Sequence, residues 1–106
     1  MKTLKFKHDF VKEIIEKRKT TTWRLFDDKN LQVNDEIGLI DALTRKVFGN
    51  AIIIDIQEKV INNLTEEELR NHQYNSKEDM IENHNKYYGN KVTLDTIVKI
   101  IEFKIK

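Results

Sequence analysis

The sequence predicts an α+β domain, namely a small, partly open β-barrel of about five strands flanked by three helices. Two observations carry this prediction. Segments that favour strands lie at both ends and in the middle of the chain, and segments with helical signals separate them. The resulting order is strand, helix, three strands, two helices, strand. Five strands are too few for a sandwich and suit a barrel, with an open α+β sheet as the alternative.

The first two elements are indicated by hydrophobic periodicity. Residues 3–7 alternate Leu4 and Phe6 with lysines, which is typical of a strand with one buried face. Residues 9–18 place their apolar side chains on one helical stripe, with Asp9 as the predicted N-cap. A strand followed by an amphipathic helix is therefore expected at the start of the chain.

The next strand is predicted at residues 20–26, TTTWRLF, because β-branched and aromatic residues dominate there. Side chains alternate between the two faces of a strand. Trp23 and Leu25 therefore belong to the core, and Thr22 and Arg24 belong to a face that is at least partly wet.

Three further strands complete the predicted barrel. Residues 27–35 read as a loop rich in Asp and Asn, and strands follow at 36–41 and 46–61. Gly49 is expected to mark a bulge in the longer of these strands. The last strand covers residues 96–106.

Two helices with clear end signals precede the last strand. Thr65 and Glu68 form a capping box, which predicts a short helix at 65–71. A second helix is predicted at 77–88 and ends at Gly89.

Composition restricts the class of protein. The chain has 106 residues, which suits one domain over 1–106, and it has no Cys, which excludes disulfides and thiolate metal sites. No segment approaches the ~20 apolar residues of a membrane span, and no signal peptide is visible. We expect a cytoplasmic monomer that does not bind membranes.

Cofactor and metal sites are not predicted either. The chain has three histidines, and none has another three or four positions away, as a zinc site would favour. With three glycines in all, no P-loop or Gly-rich dinucleotide turn is present. His84 is expected to pack on the apolar face of its helix, whereas His72 lies between the two helices and could face a cleft.

Charge is unevenly distributed although the net charge is only +1. Residues 1–24 carry eight Lys or Arg and three Asp or Glu, whereas residues 61–89 carry three basic and six acidic side chains. A basic end of this kind can steer an anionic ligand to one side of a domain. Charge alone leaves open that both segments are simply well-solvated helices.

The segment KRKTTTWR at 17–24 contains the candidate chemistry. If the strand begins at about residue 20, Thr22 and Arg24 point the same way and Lys19 can fold over that side. A cation, a hydroxyl and a planar guanidinium suit a phosphate, a carboxylate or the edge of a base. A Lys desolvated beside an Arg can also activate a hydroxyl nucleophile. Spacing alone leaves open that the cations only complement a helix end.

KRKTTTWRLF also resembles the Gly-x-Lys-x-x-Thr-x-Arg motif of the ASCH domain family, which has a PUA-like barrel fold. The matching positions are Lys19, Thr22 and Arg24, and the resemblance extends over nearly the whole chain. Two family glycines are replaced, one by Lys17 and the other, in a later turn, by Asn34. A non-glycine residue in left-handed geometry costs on the order of 1 kcal/mol.

The resemblance implies an RNA- or nucleotide-binding domain with a cleft lined by this motif. The implied ligand-binding residues are Arg18, Lys19, Thr22, Arg24 and His72. RNA readers also stack bases on aromatic side chains. With Trp23 assigned to the core, the candidates for stacking are Tyr74, Tyr87 and Tyr88.

An enzymatic alternative follows from the same resemblance. A small bacterial branch of the family hydrolyses the amide of acetylcytidine, which would make Lys19 the base and Thr22 the nucleophile. That branch also uses a Glu, and in this sequence His72 occupies the position where we expect that Glu. Whether this domain turns over a substrate therefore stays open at this point.

Overall fold

The structure is a computed structural model that describes residues 2–26 and 29–106, so residues 27 and 28 of the predicted loop lie outside the described residues. The described part of the chain contains five strands and three α-helices, with one 3-10 turn after the fourth strand. The strands are β1 Lys2–Phe6, β2 Thr21–Leu25, β3 Glu36–Asp41, β4 Val47–Val60 and β5 Ile97–Ile105. The helices are α1 His8–Ile15, α2 Glu66–Asn71 and α3 Lys77–Tyr88.

The strands form one sheet in the order β1-β3-β4-β5-β2, in which β1 and β3 are parallel and the other pairs are antiparallel. The sheet curves into a half-barrel, which confirms the predicted α+β barrel with three helices. Its edge strands β1 and β2 are linked by a side chain, since Arg24 Nη2 donates to the Lys5 carbonyl at 2.7 Å. The remaining seam is the opening at which the candidate site lies.

Two hydrophobic clusters lie against the sheet. One packs Phe6, Leu39 and Phe103 from the sheet against Ile14 of α1. The other packs β2 and β5 against α2 and α3, and its members include Trp23, Leu25, Leu69, Met80 and Val98. The assignment of Trp23 and Leu25 to the core is thereby confirmed.

Helix α1 differs from its prediction at both ends. It begins at His8 after Lys7, so the prediction of Asp9 as N-cap is wrong, and Asp9 lies in the first turn instead. It ends at Ile15 rather than residue 18, because Lys17 takes a left-handed φ of 64°. The Arg18 N–H bonds back to the Glu13 carbonyl at 2.8 Å, as in a Schellman motif.

The other local signals are confirmed. The capping box of Thr65 starts α2, and Gly89 ends α3 with a φ of 68°. The register shifts between Leu39 and Ile40 opposite Gly49, which is the predicted bulge. Asn34 keeps a left-handed φ of 77°. None of the helices in the described ranges is long and apolar enough to cross a membrane.

Candidate functional site

The open seam of the half-barrel leads into a cavity of about 450 Å³, which we call the basic cleft. Its lining comes from β1, α1 and β2 on one side and from α3 and the α2–α3 connection on the other. Four of its side chains are cations, namely Lys5, Lys7, Lys19 and Arg24. The described residues that line it include no Asp or Glu. The cleft therefore presents positive charge without an internal counter-ion.

The structure brings the three motif residues together in this cleft. Thr22 and Arg24 share one face of β2, as the alternation predicts, and both line the cavity. Thr22 is 7% exposed, so its surroundings are drier than the partly wet face that we expected. Lys19 reaches the same cavity from the turn after α1, where its backbone N–H bonds to the Glu13 carbonyl at 3.1 Å.

Lys19 lies in an environment that disfavours its charge. Its Nζ stands 4.7 Å from the centre of the Phe10 ring, a cation–π contact that by itself favours the charge. Burial lowers the pKa of this ammonium and the positive charge of Arg24 lowers it further, while Glu13 acts in the opposite direction. Within residues 2–26 and 29–106, no carboxylate oxygen lies within 4.0 Å of Lys19 Nζ. Lys19 is thus a partly desolvated amine without an anionic partner there.

Arg24 has a structural and a site-facing role. Its Nη2 is occupied by the Lys5 carbonyl, and its guanidinium carbon lies 4.9 Å from the centre of the Phe6 ring. Its Nε is buried and has no hydrogen-bond partner within residues 2–26 and 29–106. Burial lowers the pKa of this guanidinium, but an Arg side chain stays charged. Arg24 therefore links the two edge strands and also supplies fixed positive charge to the cleft.

Arg18, which the resemblance placed in the site, does not line the basic cleft. Its guanidinium pairs with Glu16 at 3.2 Å and with Glu13 at 3.9 Å. It borders a smaller neighbouring cavity of about 230 Å³, which also includes Lys19 and His72. The spacing of the motif could not distinguish these two cavities.

His72 ends α2 and lines the basic cleft. Its ring stacks on Trp23 with centroids 4.1 Å apart and an interplanar angle of 34°. Burial, with a further contribution from Lys19, lowers the pKa of His72 to about 4, although Glu68 acts to raise it. The imidazole is therefore neutral near pH 7.

The aromatic wall of the cleft extends beyond His72. Ring centroids are 5.8 Å apart for Trp23 and Tyr74, 5.7 Å for Tyr74 and His84, and 6.4 Å for His84 and Tyr88. Tyr87 also lines the cleft, so all three predicted stacking candidates, Tyr74, Tyr87 and Tyr88, lie at one cavity.

His84 packs inside the protein as predicted, at 9% exposure, but it also lines the cleft. Its Nδ1 lies 2.9 Å from the Met80 carbonyl and donates to it, which leaves Nε2 as the acceptor nitrogen of the neutral ring. Burial lowers the pKa of His84, as does Arg24, whereas the bond to Met80 opposes the shift.

Sequence reasoning missed Lys5, Lys7 and His84 as members of the site. A signal existed for the two lysines, since they alternate with Leu4 and Phe6 and so share the polar face of the strand predicted at residues 3–7. No local signal connects β1 with α3, because their approach depends on the closure of the barrel.

A second cavity, of about 290 Å³, shares Trp23 and His72 with the basic cleft. We call it the acidic pocket because Asp55, Glu68 and Glu102 line it. The Glu68 carboxylate accepts hydrogen bonds from Lys59 Nζ at 2.8 Å and from the Thr65 backbone N–H at 3.1 Å, so its negative charge is compensated within the protein. The described residues contain no group of three His, Asp or Glu able to hold a metal ion.

The fold is found among solved structures. Hypothetical protein PH0355 aligns over 100% of both chains with a TM-score of 0.69 and 16% identity. Protein EF3133 from Enterococcus faecalis V583, of family DUF984, aligns over 92% of this chain and 70% of its own, with a TM-score of 0.67 and 13% identity. An ASCH domain from Lactobacillus crispatus JV V101 aligns over 90% of this chain and 69% of its own, with a TM-score of 0.64 and 14% identity.

The chain therefore has the fold of an ASCH-like small single-domain protein. No protein-family model matches the sequence. No curated protein matches it either.

Proposed function

We propose that this chain is an RNA- or nucleotide-binding domain and that the basic cleft is its ligand site. The observation that carries the proposal is the pairing of four cationic side chains with a wall of aromatic rings, without a carboxylate in the described lining. Cations bind phosphates, and aromatic rings stack on bases whatever their sequence. A nucleotide is the ligand class that uses both walls at once.

Unpaired polar groups support the same proposal. The indole N–H of Trp23 and the Nε of Arg24 are buried without hydrogen-bond partners among the described residues, and both residues line the cleft. Buried donors of this kind are normally paired with a protein group, water or ligand. The Thr22 hydroxyl and the neutral His84 ring add groups that can donate to or accept from the edge of a base.

The size of the cleft is consistent with a small ligand. Its volume of about 450 Å³ falls within the range of about 300–1,000 Å³ that is usual for small-molecule sites. The ligand is expected to lie between the cations of β1 and β2 and the rings of α3.

The proposal can be tested with the protein's single Trp as an internal probe, because Trp23 lines the cleft. Nucleoside monophosphates and short single-stranded RNAs are titrated at low salt while Trp emission is recorded. We expect binding that weakens as salt rises. Lys19→Ala should weaken it about tenfold or more, the usual effect of losing one charge-assisted contact.

Lys12→Ala is the matched control, since Lys12 is a highly exposed cation of α1 outside the cleft. It should leave the affinity within about twofold, as for a surface charge remote from the ligand. Absence of binding at low salt, or equal losses in the Lys12 and Lys19 variants, would overturn the proposal.

A second candidate is an amidohydrolase acting on an acylated nucleoside such as acetylcytidine. One observation favours it, namely that burial and Arg24 lower the pKa of Lys19 in the cleft that also holds the Thr22 hydroxyl. Lys19 would then take the proton of Thr22 as its hydroxyl attacks the amide carbonyl, and would return that proton to the cytidine N4 amine as the C–N bond breaks. Water would then hydrolyse the acetyl ester on Thr22, which releases acetate and restores the hydroxyl. Against it, the described residues offer no carboxylate within 4.0 Å of Lys19 Nζ, and His72, which lines the cleft, occupies the sequence position where the resemblance implies a Glu.

Incubation with acetylcytidine separates the two candidates. The enzymatic candidate requires release of cytidine by the wild-type protein, loss of release in Thr22→Val and partial recovery in Thr22→Ser. If the wild-type protein binds acetylcytidine without releasing cytidine, binding alone remains as the function.

A further inference from the structure

We propose that the ligand is an oligonucleotide, and that its second nucleotide lies in a cavity next to the basic cleft. This cavity, which we call the flanking pocket, has a volume of about 470 Å³. Phe26, Lys29 and Lys91 line it together with apolar side chains, and it shares Arg24 and Tyr88 with the basic cleft. The inference rests on the proposed function, because it extends the same ligand along the protein surface.

The two cavities share Arg24 and Tyr88 in their linings, so they are neighbours on the protein surface. A polynucleotide that occupies both must cross these two side chains. The guanidinium of Arg24 is then placed for the phosphate between the two nucleosides, since Arg binds phosphate through several donors.

The aromatic wall continues into the flanking pocket. The Tyr88 ring is 6.4 Å from that of His84 in the basic cleft and 5.4 Å from that of Phe26 in the flanking pocket. Successive bases on a single strand bind to successive rings of this kind. The chain of rings therefore offers a stacking surface on each side of the shared wall.

Phe26 is unusual in two respects. It is 49% exposed, and its φ of 52° lies in the left-handed region, which is a genuine outlier for a bulky side chain. Strained backbone of this kind tends to occur at ligand sites, where surrounding structure maintains it. An exposed ring held in this way at the end of β2 is accessible to a base.

Cations continue from the basic cleft into the flanking pocket. Its described lining includes Lys29, Lys91 and Arg24. A third cavity also touches Arg24 and Phe26, and its lining combines Glu58 and Asp95 with Lys99. Since Lys91 is an exposed cation of the flanking pocket, we expect the strand to continue toward it.

The experiment compares one nucleotide with two. The probes are the 5′-phosphorylated mononucleotides pU and pA and the dinucleotides pUpU and pApA, titrated against the full chain with Trp23 emission as the readout. We expect the dinucleotides to bind at least about tenfold more tightly. The slope of log affinity against log salt should steepen by about 0.7 for the additional phosphate.

Two variants locate the second nucleotide. Phe26→Leu removes the ring but keeps an apolar side chain, and Lys91→Ala removes an exposed cation. Each should weaken dinucleotide binding several-fold and leave mononucleotide binding within about twofold. Phe26→Tyr keeps an aromatic ring and should therefore keep the tight dinucleotide binding of the wild type. Lys86 lies on an exposed part of α3 outside both cavities, so Lys86→Ala is the matched charge control.

The outcomes separate this inference from the proposed function. If mononucleotides bind and dinucleotides bind no more tightly, the flanking pocket is not a subsite and the proposed function stands. Tighter dinucleotide binding that neither variant changes would also overturn the assignment to the flanking pocket. If neither class of probe binds, the proposed function itself fails.

Discussion

The basic cleft and the acidic pocket are neighbouring cavities that share Trp23 and His72, yet they have opposite charge. Cations line the first and carboxylates line the second. The alternation of β2 accounts for part of this sorting, because Thr22 lines the basic cleft whereas Thr21 lines the acidic pocket. One strand thus contributes to two electrostatic environments.

The two cavities also differ in how their charges are compensated. In the acidic pocket, Glu68 bonds to Lys59 and to the start of α2, so its charge stabilises the fold. In the basic cleft, Lys19 faces the Phe10 ring and lacks a carboxylate within 4.0 Å in the described part of the chain. The compensated charge of Glu68 therefore stabilises the structure, whereas the charge of Lys19 is available to a ligand.

The largest effect is expected from removal of the shared wall. Trp23→Ala deletes a side chain that is 9% exposed and stacks on both His72 and Tyr74. We expect a loss of about 3–5 kcal/mol in the free energy of unfolding, as for other large core truncations. Urea unfolding followed by circular dichroism measures it.

Trp23→Phe is the control for this experiment, because it keeps a ring and removes the unpaired indole N–H. It should cost far less than the Ala variant. Equal losses for Phe and Ala would mean that a smaller ring restores none of the packing, and that the boundary between the cavities depends on the full size of the indole.

The next largest effect is expected from the titration of His72, which lines both cavities. Its pKa of about 4 is below the usual 6.5, so the unfolded chain takes up a proton first as the pH falls. Stability is therefore complete above pH 6.5 and is lost as the pH falls toward 4. By about pH 5 the loss should reach about 1–2 kcal/mol, a value reduced for partial solvent screening.

Urea unfolding at pH 7 and pH 5 tests this, with His72→Gln as the reference. The wild-type protein should lose more stability than the variant between the two pH values, because the Gln side chain does not titrate. If the wild-type protein loses less stability than the variant, the charge of Glu68 in the acidic pocket outweighs burial and Lys19. The acidic pocket, and not the basic cleft, would then determine the pKa of His72.

Much of this arrangement follows from local patterns in the sequence. The pleat of a strand is a property of adjacent residues, so residues 20–26 are sufficient to separate Trp23 and Leu25 from Thr22 and Arg24. The cap at Thr65 and the left-handed Gly89 are equally local, since each depends on bonds within one helical turn. These elements were predicted correctly for that reason.

The rest depends on contacts between distant segments. The bond from Arg24 to the Lys5 carbonyl exists because the edge strands meet when the sheet curves. The approach of Tyr88 to the cleft likewise depends on how α3 packs on β2. The early end of α1 was missed because Lys17, a poor candidate for left-handed geometry, occupies the position where Gly would have marked it.

A smaller effect is expected at that turn, which leads into the cleft. Lys17→Gly should raise the free energy of unfolding by about 0.5–1 kcal/mol, because Gly adopts a positive φ without steric cost. The same variant removes a cation that lies outside the basic cleft, so nucleotide affinity should stay within about twofold. Thermal unfolding and the Trp23 titration measure the two effects.

Lys17→Ala distinguishes the two contributions, because it removes the charge and retains the Cβ atom. It should not increase stability, since Ala has the same steric conflict in the left-handed region as Lys. Stabilisation of equal size in both variants would indicate that repulsion among the cations near the cleft, and not backbone strain, is relieved.

The smallest effect concerns the acidic pocket. Asp55 and Glu102 are directly opposite each other on β4 and β5, and like charges in this position are destabilising. Asp55→Asn should therefore raise the free energy of unfolding by about 0.2–0.5 kcal/mol. Glu58, which is opposite Lys99 on the same strands, is the matched control, and Glu58→Gln should lower stability slightly.

Nucleotide affinity should be unchanged in Asp55→Asn if the acidic pocket takes no part in binding. A clear gain or loss of affinity would mean that the ligand extends past Trp23 and His72 into the acidic pocket.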